Sequence, residues 1–163
     1  MTPTSAPSHR VTPVDVERIL DAPLGSAWAA LTDPALISRW FTACSRLSAR
    51  RYQLRFSDAD GDHTKTARVI SLRRRGDSAC YAVLLADPGY PDSTVAVTLS
   101  AASADTCRLV LHHADPPEQL LEGYRTGWPD YLDALARLVG TTGRSGVRRP
   151  EPDRPRSTAS QHR

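Results

Sequence analysis

Between Arg50 and His113, five short runs separated by polar turns carry the pattern that most constrains how this chain can fold. Tyr52, Leu54 and Phe56 alternate with Arg51, Gln53 and Arg55. Tyr81, Val83 and Leu85 repeat the alternation, as do Val95, Val97 and Leu99, and then Cys107, Leu109, Leu111 and His113. The run Thr64–Leu72 is less regular: Val69, Ile70 and Leu72 do not share one face, and its register stays open. A period of two is the signature of half-buried strands. The connections Asp58–Asp62, Arg73–Asp77, Asp87–Asp92 and Ala104-Asp105 are too short for crossovers, so successive strands must run antiparallel as a meander. One face of such a sheet can meet water, but the apolar face has to be covered.

The cover follows at once. From Pro116 to Gly140, Leu121, Tyr124, Trp128, Tyr131, Leu135 and Leu138 are spaced 3, 4, 3, 4 and 3, which paints one stripe on a helix. Asp115 before Pro116-Pro117 reads as a helix cap with prolines in the first turn, and Gly140 as the C-terminal stop. Pro129 predicts a kink or break near Gly127-Trp128, because it removes a backbone donor and crowds the carbonyl of Arg125.

Ahead of the meander, Val14–Leu20 reads as a first strand with a bulge or two-sided burial near Arg18, since Ile19 falls on the other face. Leu24, Trp28 and Leu31 mark a short helix over Pro23–Leu31. Asp33 then caps a second one over Pro34–Phe41, with Leu36, Ile37, Trp40 and Phe41 apolar. The expected order is strand, two short helices, five strands and a long helix. This is an α+β helix-grip fold: a curved antiparallel sheet of about six strands around the C-terminal helix. Residues 13–140 form the domain, flanked by polar, proline-bearing segments 1–12 and 141–163 that are expected to be disordered.

Charge excludes one class of partner. The chain carries +3 overall, but residues 141–163 hold six arginines against Glu151 and Asp153. With that +4 and Arg10 set aside, residues 11–140 sum to −2, so the domain is no basic platform for nucleic acid. Lys65 is the single lysine; the arginine bias, with the many alanines, reads as coding composition rather than binding chemistry. No apolar run approaches the roughly 20 residues of a membrane span, and the N-terminus lacks the apolar core of a signal peptide. Cytoplasmic residence is the expectation. Cys44, Cys80 and Cys107 are odd in number, widely spaced and without C-x-x-C, and read as small hydrophobes rather than ligands or disulfides.

At the two ends of the domain the residues resemble a known family. Ala22-Pro23, Ala27-Trp28, Ala30-Leu31, Thr32-Asp33-Pro34 and Trp40-Phe41, followed at the close by Gly127-Trp128, Leu132, Leu135 and Leu138, are similar to the activator of Hsp90 ATPase homologue-like proteins. That family lies within the START/Bet v 1-like (SRPBCC) superfamily. The middle departs from the family pattern, with Ala67-Arg68-Val69 and Tyr81 where a G-x-V strand and a tryptophan are common. The resemblance implies the helix-grip fold and no shared catalytic residues; relatives range from chaperone-binding domains to lipid carriers and polyketide cyclases.

No P-loop, G-x-S-x-G, H-E-x-x-H or zinc spacing occurs, and neither metal nor cofactor is expected. Asp58, Asp60 and Asp62 around Gly61 lack the glutamate of a calcium loop, and His112-His113 cannot chelate because strand neighbours point to opposite faces. What the fold offers is a cavity between helix and sheet, of the kind that takes small molecules. Its candidate lining is Tyr52, Tyr81, His113, Tyr124, Arg125 and Trp128, with Trp40 guarding the mouth. The leading expectation is a cytosolic binder of a hydrophobic, lipid- or polyketide-like small molecule without identified catalysis. A cyclase/aromatase-like or hydrolase enzyme using His113 and Tyr124 as acid and base is the first alternative. A chaperone-associated interaction module is the second.

Overall fold

The computed structural model describes residues 12–59 and 61–144. The expectations for residues 1–11 and 145–163 lie outside them. Strand β1 (Val14–Leu20) is followed by helices α1 (Leu24–Thr32) and α2 (Pro34–Trp40), then by strands β2 (Ala43–Ser48), β3 (Arg51–Asp58), β4 (Gly61–Arg75), β5 (Ser78–Ala86), β6 (Ser93–Ala101) and β7 (Cys107–Ala114). A single 3-10 turn, Glu118–Leu120, leads into α3 (Leu121–Arg144). The strands form one curved antiparallel sheet in the order β1-β7-β6-β5-β4-β3-β2, and α3 packs against β1, α1 and α2. This is the expected helix-grip architecture with seven strands instead of six.

The additional strand, β2, escaped the sequence pattern because it lies at the sheet edge with five of its six residues exposed, so it has no alternation to show. Its backbone pairs with β3 from Ala43↔Arg55 to Ser48↔Arg51. The run Arg73–Arg75, expected in a turn, belongs to β4, and the turn itself shrinks to Gly76-Asp77, where Gly76 takes φ +55°. The open register of β4 has its cause in an irregularity between Val69 and Ser71. Ala67 and Val69 are buried before it, while Ile70 and Leu72 are left 44% and 54% exposed. No bulge interrupts β1: its pairing with β7 is continuous from Val14↔His113 to Leu20↔Cys107, and Ile19 is simply exposed. Arg18 lies on the inner face and donates to Asp133 of α3 at 2.8 Å, tying the helix to the sheet edge.

At the two short helices the sequence reading holds closely. The Asp33 carboxylate accepts from the Ala35 amide at 2.9 Å, capping α2 as expected, with Pro34 in its first turn. Asp115, by contrast, caps nothing: it takes φ +51°, a conformation aspartate tolerates, and turns the chain from β7 toward α3. Gly140 does not stop α3 either. It lacks a positive φ and lies inside a helix that continues to Arg144, and Pro129 does not break that helix. The buried stripe of α3 is Trp128, Leu132, Leu135 and Val139, rotated by a residue from the expected one at its second half. Leu132 and Leu135 are fully buried, and each contributes roughly 1.5–3 kcal/mol by leaving water. Among the described residues no helix is long and apolar enough to cross a membrane. The three cysteines are free, with Cys107 buried and the other two half-buried.

Candidate functional site

Strand alternation and the first turns of α3 bring a polar cluster into an apolar interior. Lys65 lies opposite the buried Leu54 and shares its face of β4 with Ala67 and Val69, so its stem points inward. Asp87 follows directly on β5 and is 4% exposed. Tyr124 reaches down from α3 to join them. Lys65 Nζ lies 2.6 Å from Asp87 Oδ1 and donates to Tyr124 Oη at 2.8 Å, while that hydroxyl donates to Asp87 Oδ2 at 2.5 Å. The ammonium also sits 5.1 Å from the Phe56 ring centre and 4.6 Å from that of Tyr124. Burial and the adjoining Asp87 carboxylate push the Tyr124 phenol well above its usual range, so it is held neutral. The buried ion pair is net neutral and every member is hydrogen-bonded, the condition under which such a pair persists inside a protein.

A second set of bonds stands beside the first. Trp128 Nε1 donates to His113 Nδ1 at 3.0 Å, and His113 Nε2 lies 2.7 Å from Ser93 Oγ. An indole N–H can only donate, so Nδ1 accepts and the neutral ring carries its proton on Nε2, donating to Ser93. Burial lowers the His113 pKa from 6.5 to about 4; Asp87 opposes the shift, and Lys65 and His112 reinforce it. The His113 and Tyr124 rings meet edge-on, 4.4 Å between centres, which joins the two groups of bonds. His113 therefore has no lone pair left for a substrate. The geometry removes the acid–base pairing of His113 with Tyr124.

Two cavities flank this centre. A small chamber of about 70 Å³ is lined by Leu31, Trp40, Cys44, Tyr52, Tyr81 and Val97, among other apolar groups. A larger cleft of about 320 Å³ opens beneath the first half of α3. Its walls include Phe56, His63, Tyr124 and Tyr131, with Lys65 among the lining groups and Asp58 also at its border. Phe41, Leu85 and Trp128 border both spaces, and the Phe41 and Trp128 rings stack 5.4 Å apart at 18°, forming an aromatic partition between them. His63 stacks on Phe56 at 5.2 Å, with its Nδ1 3.5 Å from Asp58 Oδ2.

The seven residues singled out from sequence separate accordingly. Tyr52, Tyr81 and Trp40 line the small chamber. Trp40 does not guard a mouth: it is buried and its Nε1 donates to the Ala30 carbonyl at 2.8 Å. Burial raises the Tyr81 phenol, which meets Trp28 edge-on at 6.4 Å. Tyr124 lines the cleft and Trp128 borders both spaces, whereas His113 borders neither. Arg125 faces solvent, paired with Glu122 at 2.7 Å across one helical turn, because its position on α3 is turned away from the sheet. His112 also faces outward, 2.5 Å from Asp15, so the two adjacent histidines diverge as strand geometry requires. No group of three or more potential metal ligands occurs among the described residues.

Lys65, Asp87, Phe41, Phe56, His63, Tyr131 and Ser93 were not singled out. One signal could have found the first. A lone lysine among twenty arginines marks a place where a compact ammonium is used and a planar guanidinium is not. Asp87 gave no signal, because the loop that follows it has the composition of a solvated turn.

The family model for activator of Hsp90 ATPase homologue 1-like protein matches residues 21–140. A comparison with curated protein sequences returned no match. Among solved structures, protein MLL2253 of Mesorhizobium loti is 26% identical at a TM-score of 0.63, covering 80% of this chain and 98% of its own. CalU16 of Micromonospora echinospora is also 26% identical, at a TM-score of 0.59 over 78% of this chain and 74% of its own. DynU16, a protein of the dynemicin biosynthetic locus, shares the fold at 22% identity and a TM-score of 0.57, over 80% of this chain and 48% of its own.

Proposed function

The chain belongs to the activator of Hsp90 ATPase homologue 1-like family, and from that premise we propose that it binds a hydrophobic small molecule, lipid- or polyketide-like, in the cleft under the first half of α3. One observation carries this reading. The cleft of about 320 Å³ falls within the volume range of small-molecule sites. It is walled by aromatic rings and borders the small apolar chamber across the Phe41–Trp128 stack. Aromatic walls with few, fixed polar groups reward flat or chain-like apolar ligands. A ligand longer than the cleft would part the two stacked rings and extend toward the chamber.

The wall supplies its own reporter, since Trp128 borders both spaces. Titration with the uncharged probe N-phenyl-1-naphthylamine, read by tryptophan quenching and probe emission, gives saturable one-site binding if the reading is right. Gly127 also lines the cleft, and a Cβ built there meets the Tyr131 ring at 3.7 Å, an ordinary contact. Gly127→Leu therefore fills the cleft without disturbing the core and abolishes binding while the fold is kept. A wild-type protein that takes up neither this probe nor any member of a lipid and aromatic polyketide panel refutes the proposal.

A further inference from the structure

The Lys65 ammonium carries three N–H donors, and its protein partners use two of them. Asp87 Oδ1 takes one and Tyr124 Oη another; the third has no oxygen or nitrogen partner among the described residues. Lys65 also lines the cleft, between the rings of Phe56 and Tyr124. The two bonds to Asp87 and Tyr124 fix the direction of the ammonium, so the remaining donor is preset rather than free to rotate.

The charges nearby decide what this donor can take. Lys65 and Asp87 cancel, and a second carboxylate, Asp58, borders the cleft beside His63. An anionic ligand would meet a lysine already neutralised and two carboxylates that repel it. Displacing Asp87 would strand that carboxylate, which is 4% exposed, in a poorly solvated place. An uncharged carbonyl or hydroxyl oxygen accepts the third N–H without breaking the pair. The rings of Phe56, His63, Tyr124, Trp128 and Tyr131 then favour a flat aromatic body attached to that oxygen.

We infer that Lys65 is the polar anchor of the cleft, and that the ligand is a flat aromatic molecule presenting an uncharged oxygen acceptor, a ketone or phenol rather than a carboxylate. This inference rests on the proposed function and specifies its ligand class.

Three molecules of nearly equal shape test it: 2-acetylnaphthalene, 2-ethylnaphthalene and 2-naphthoate. The full chain is titrated with each by calorimetry or tryptophan quenching. The ketone is expected to bind about tenfold or more tighter than the hydrocarbon, the worth of one hydrogen bond to a charged donor, and the carboxylate more weakly than the ketone. In Lys65→Met combined with Asp87→Asn, which keeps the site neutral and leaves Tyr124 an acceptor, the preference for the ketone over the hydrocarbon disappears. Because Lys65 is the single lysine, a protein labelled with ¹⁵Nζ-lysine gives one ammonium signal. The ketone moves that signal downfield by hydrogen bonding and slows its proton exchange, whereas the hydrocarbon adds only a ring-current shift, a readout that does not depend on the double variant folding. Equal binding of ketone and hydrocarbon, or tightest binding of the naphthoate, overturns the Lys65 anchor and leaves the cleft as a binding site. Failure of all three to bind overturns the ligand class assigned here, while the proposed function stands or falls separately with the lipid and polyketide panel.

Discussion

His113 makes the stability of this fold depend on pH between 6.5 and about 4. It is fully buried, holds its proton on Nε2 toward Ser93, and accepts from Trp128 on Nδ1. Protonation would place a charge in the core and turn the Nδ1 acceptor into a second donor facing the Trp128 N–H. Its pKa of about 4 in the folded protein stands below the 6.5 of an unfolded histidine. Because the folded value is depressed, the contribution is fully present above pH 6.5. It is lost as the pH falls toward 4, and is level below that, the unfolded chain binding the proton first. At about 1.4 kcal/mol for each pH unit, the interval from 6.5 to about 4 amounts to about 3 kcal/mol. That is a large part of a typical domain's stability of roughly 5–15 kcal/mol.

The charges acting on the ring are Asp87, which favours protonation, and Lys65 and, from the opposite face of β7, His112, which oppose it. Urea denaturation at half-unit steps from pH 7.5 to 3.5, followed by tryptophan emission, measures the profile. His113→Asn supplies the control, since its amide oxygen can accept from Trp128 and its side chain does not titrate. The wild-type curve is expected to fall by about 3 kcal/mol relative to the variant across the window. Parallel curves would show that His113 is charged, or solvated, in the folded protein, and would refute both its tautomer and its sealed position.

Other substitutions probe other contacts in the fold. Leu132→Ala removes a fully buried side chain of α3 and is expected to cost about 2–5 kcal/mol in denaturant unfolding; Leu121→Ala, at a partly buried position of the same helix, costs less. Gly140→Ala is expected to stabilise by about 0.5–1 kcal/mol, because the helix continues past it with open space at the added Cβ. A loss of stability there would restore Gly140 as the helix stop. Trp128→Phe keeps an aromatic ring, though a smaller one, but deletes the N–H bound to His113, leaving a buried acceptor unmatched at a cost of about 1–3 kcal/mol by thermal or chemical unfolding. Lys65→Met alone strands the Asp87 carboxylate and is expected to cost about 3–5 kcal/mol, most of it recovered when Asp87→Asn is added. Failure of the second change to restore stability would separate the two residues.

Local chemistry carried much of this fold into the sequence. Alternation in β3, β5, β6 and β7 follows from one face being more deeply buried than the other, so the order of residue types reports it. The Asp33 cap and the apolar stripe of α3 are equally local, the first a hydrogen bond two residues long, the second a consequence of 3.6 residues per turn. What those periods could not convey was position across the molecule. The edge strand β2 forms because β3 offers it backbone partners, and Arg73–Arg75 extend β4 because Ala79 and Cys80 wait opposite. Gly140 reads as a stop by itself, yet is helical because Val139 is packed in the core.

The site divides in the same way. Aromatic residues destined for the interior were visible as large apolar groups on predicted faces, and Tyr52, Tyr81, Tyr124 and Trp128 do line the cavities. Arg125 was expected in the lining with Tyr124 but points outward, since the next residue on a helix lies about 100° away. The centre of the cleft joins Lys65 of β4, Asp87 after β5 and Tyr124 of α3, residues 59 and 37 apart in the chain for the two hydrogen bonds to Tyr124. A strand period says which face a lysine takes; it does not say that a carboxylate two strands' length away will meet it. Residue order alone carried the meander from β3 to β7, its covering helix and the apolar character of the space between them. Tertiary structure alone decided which charges share that space, because an ion pair depends on distances of a few ångströms between segments remote in the chain.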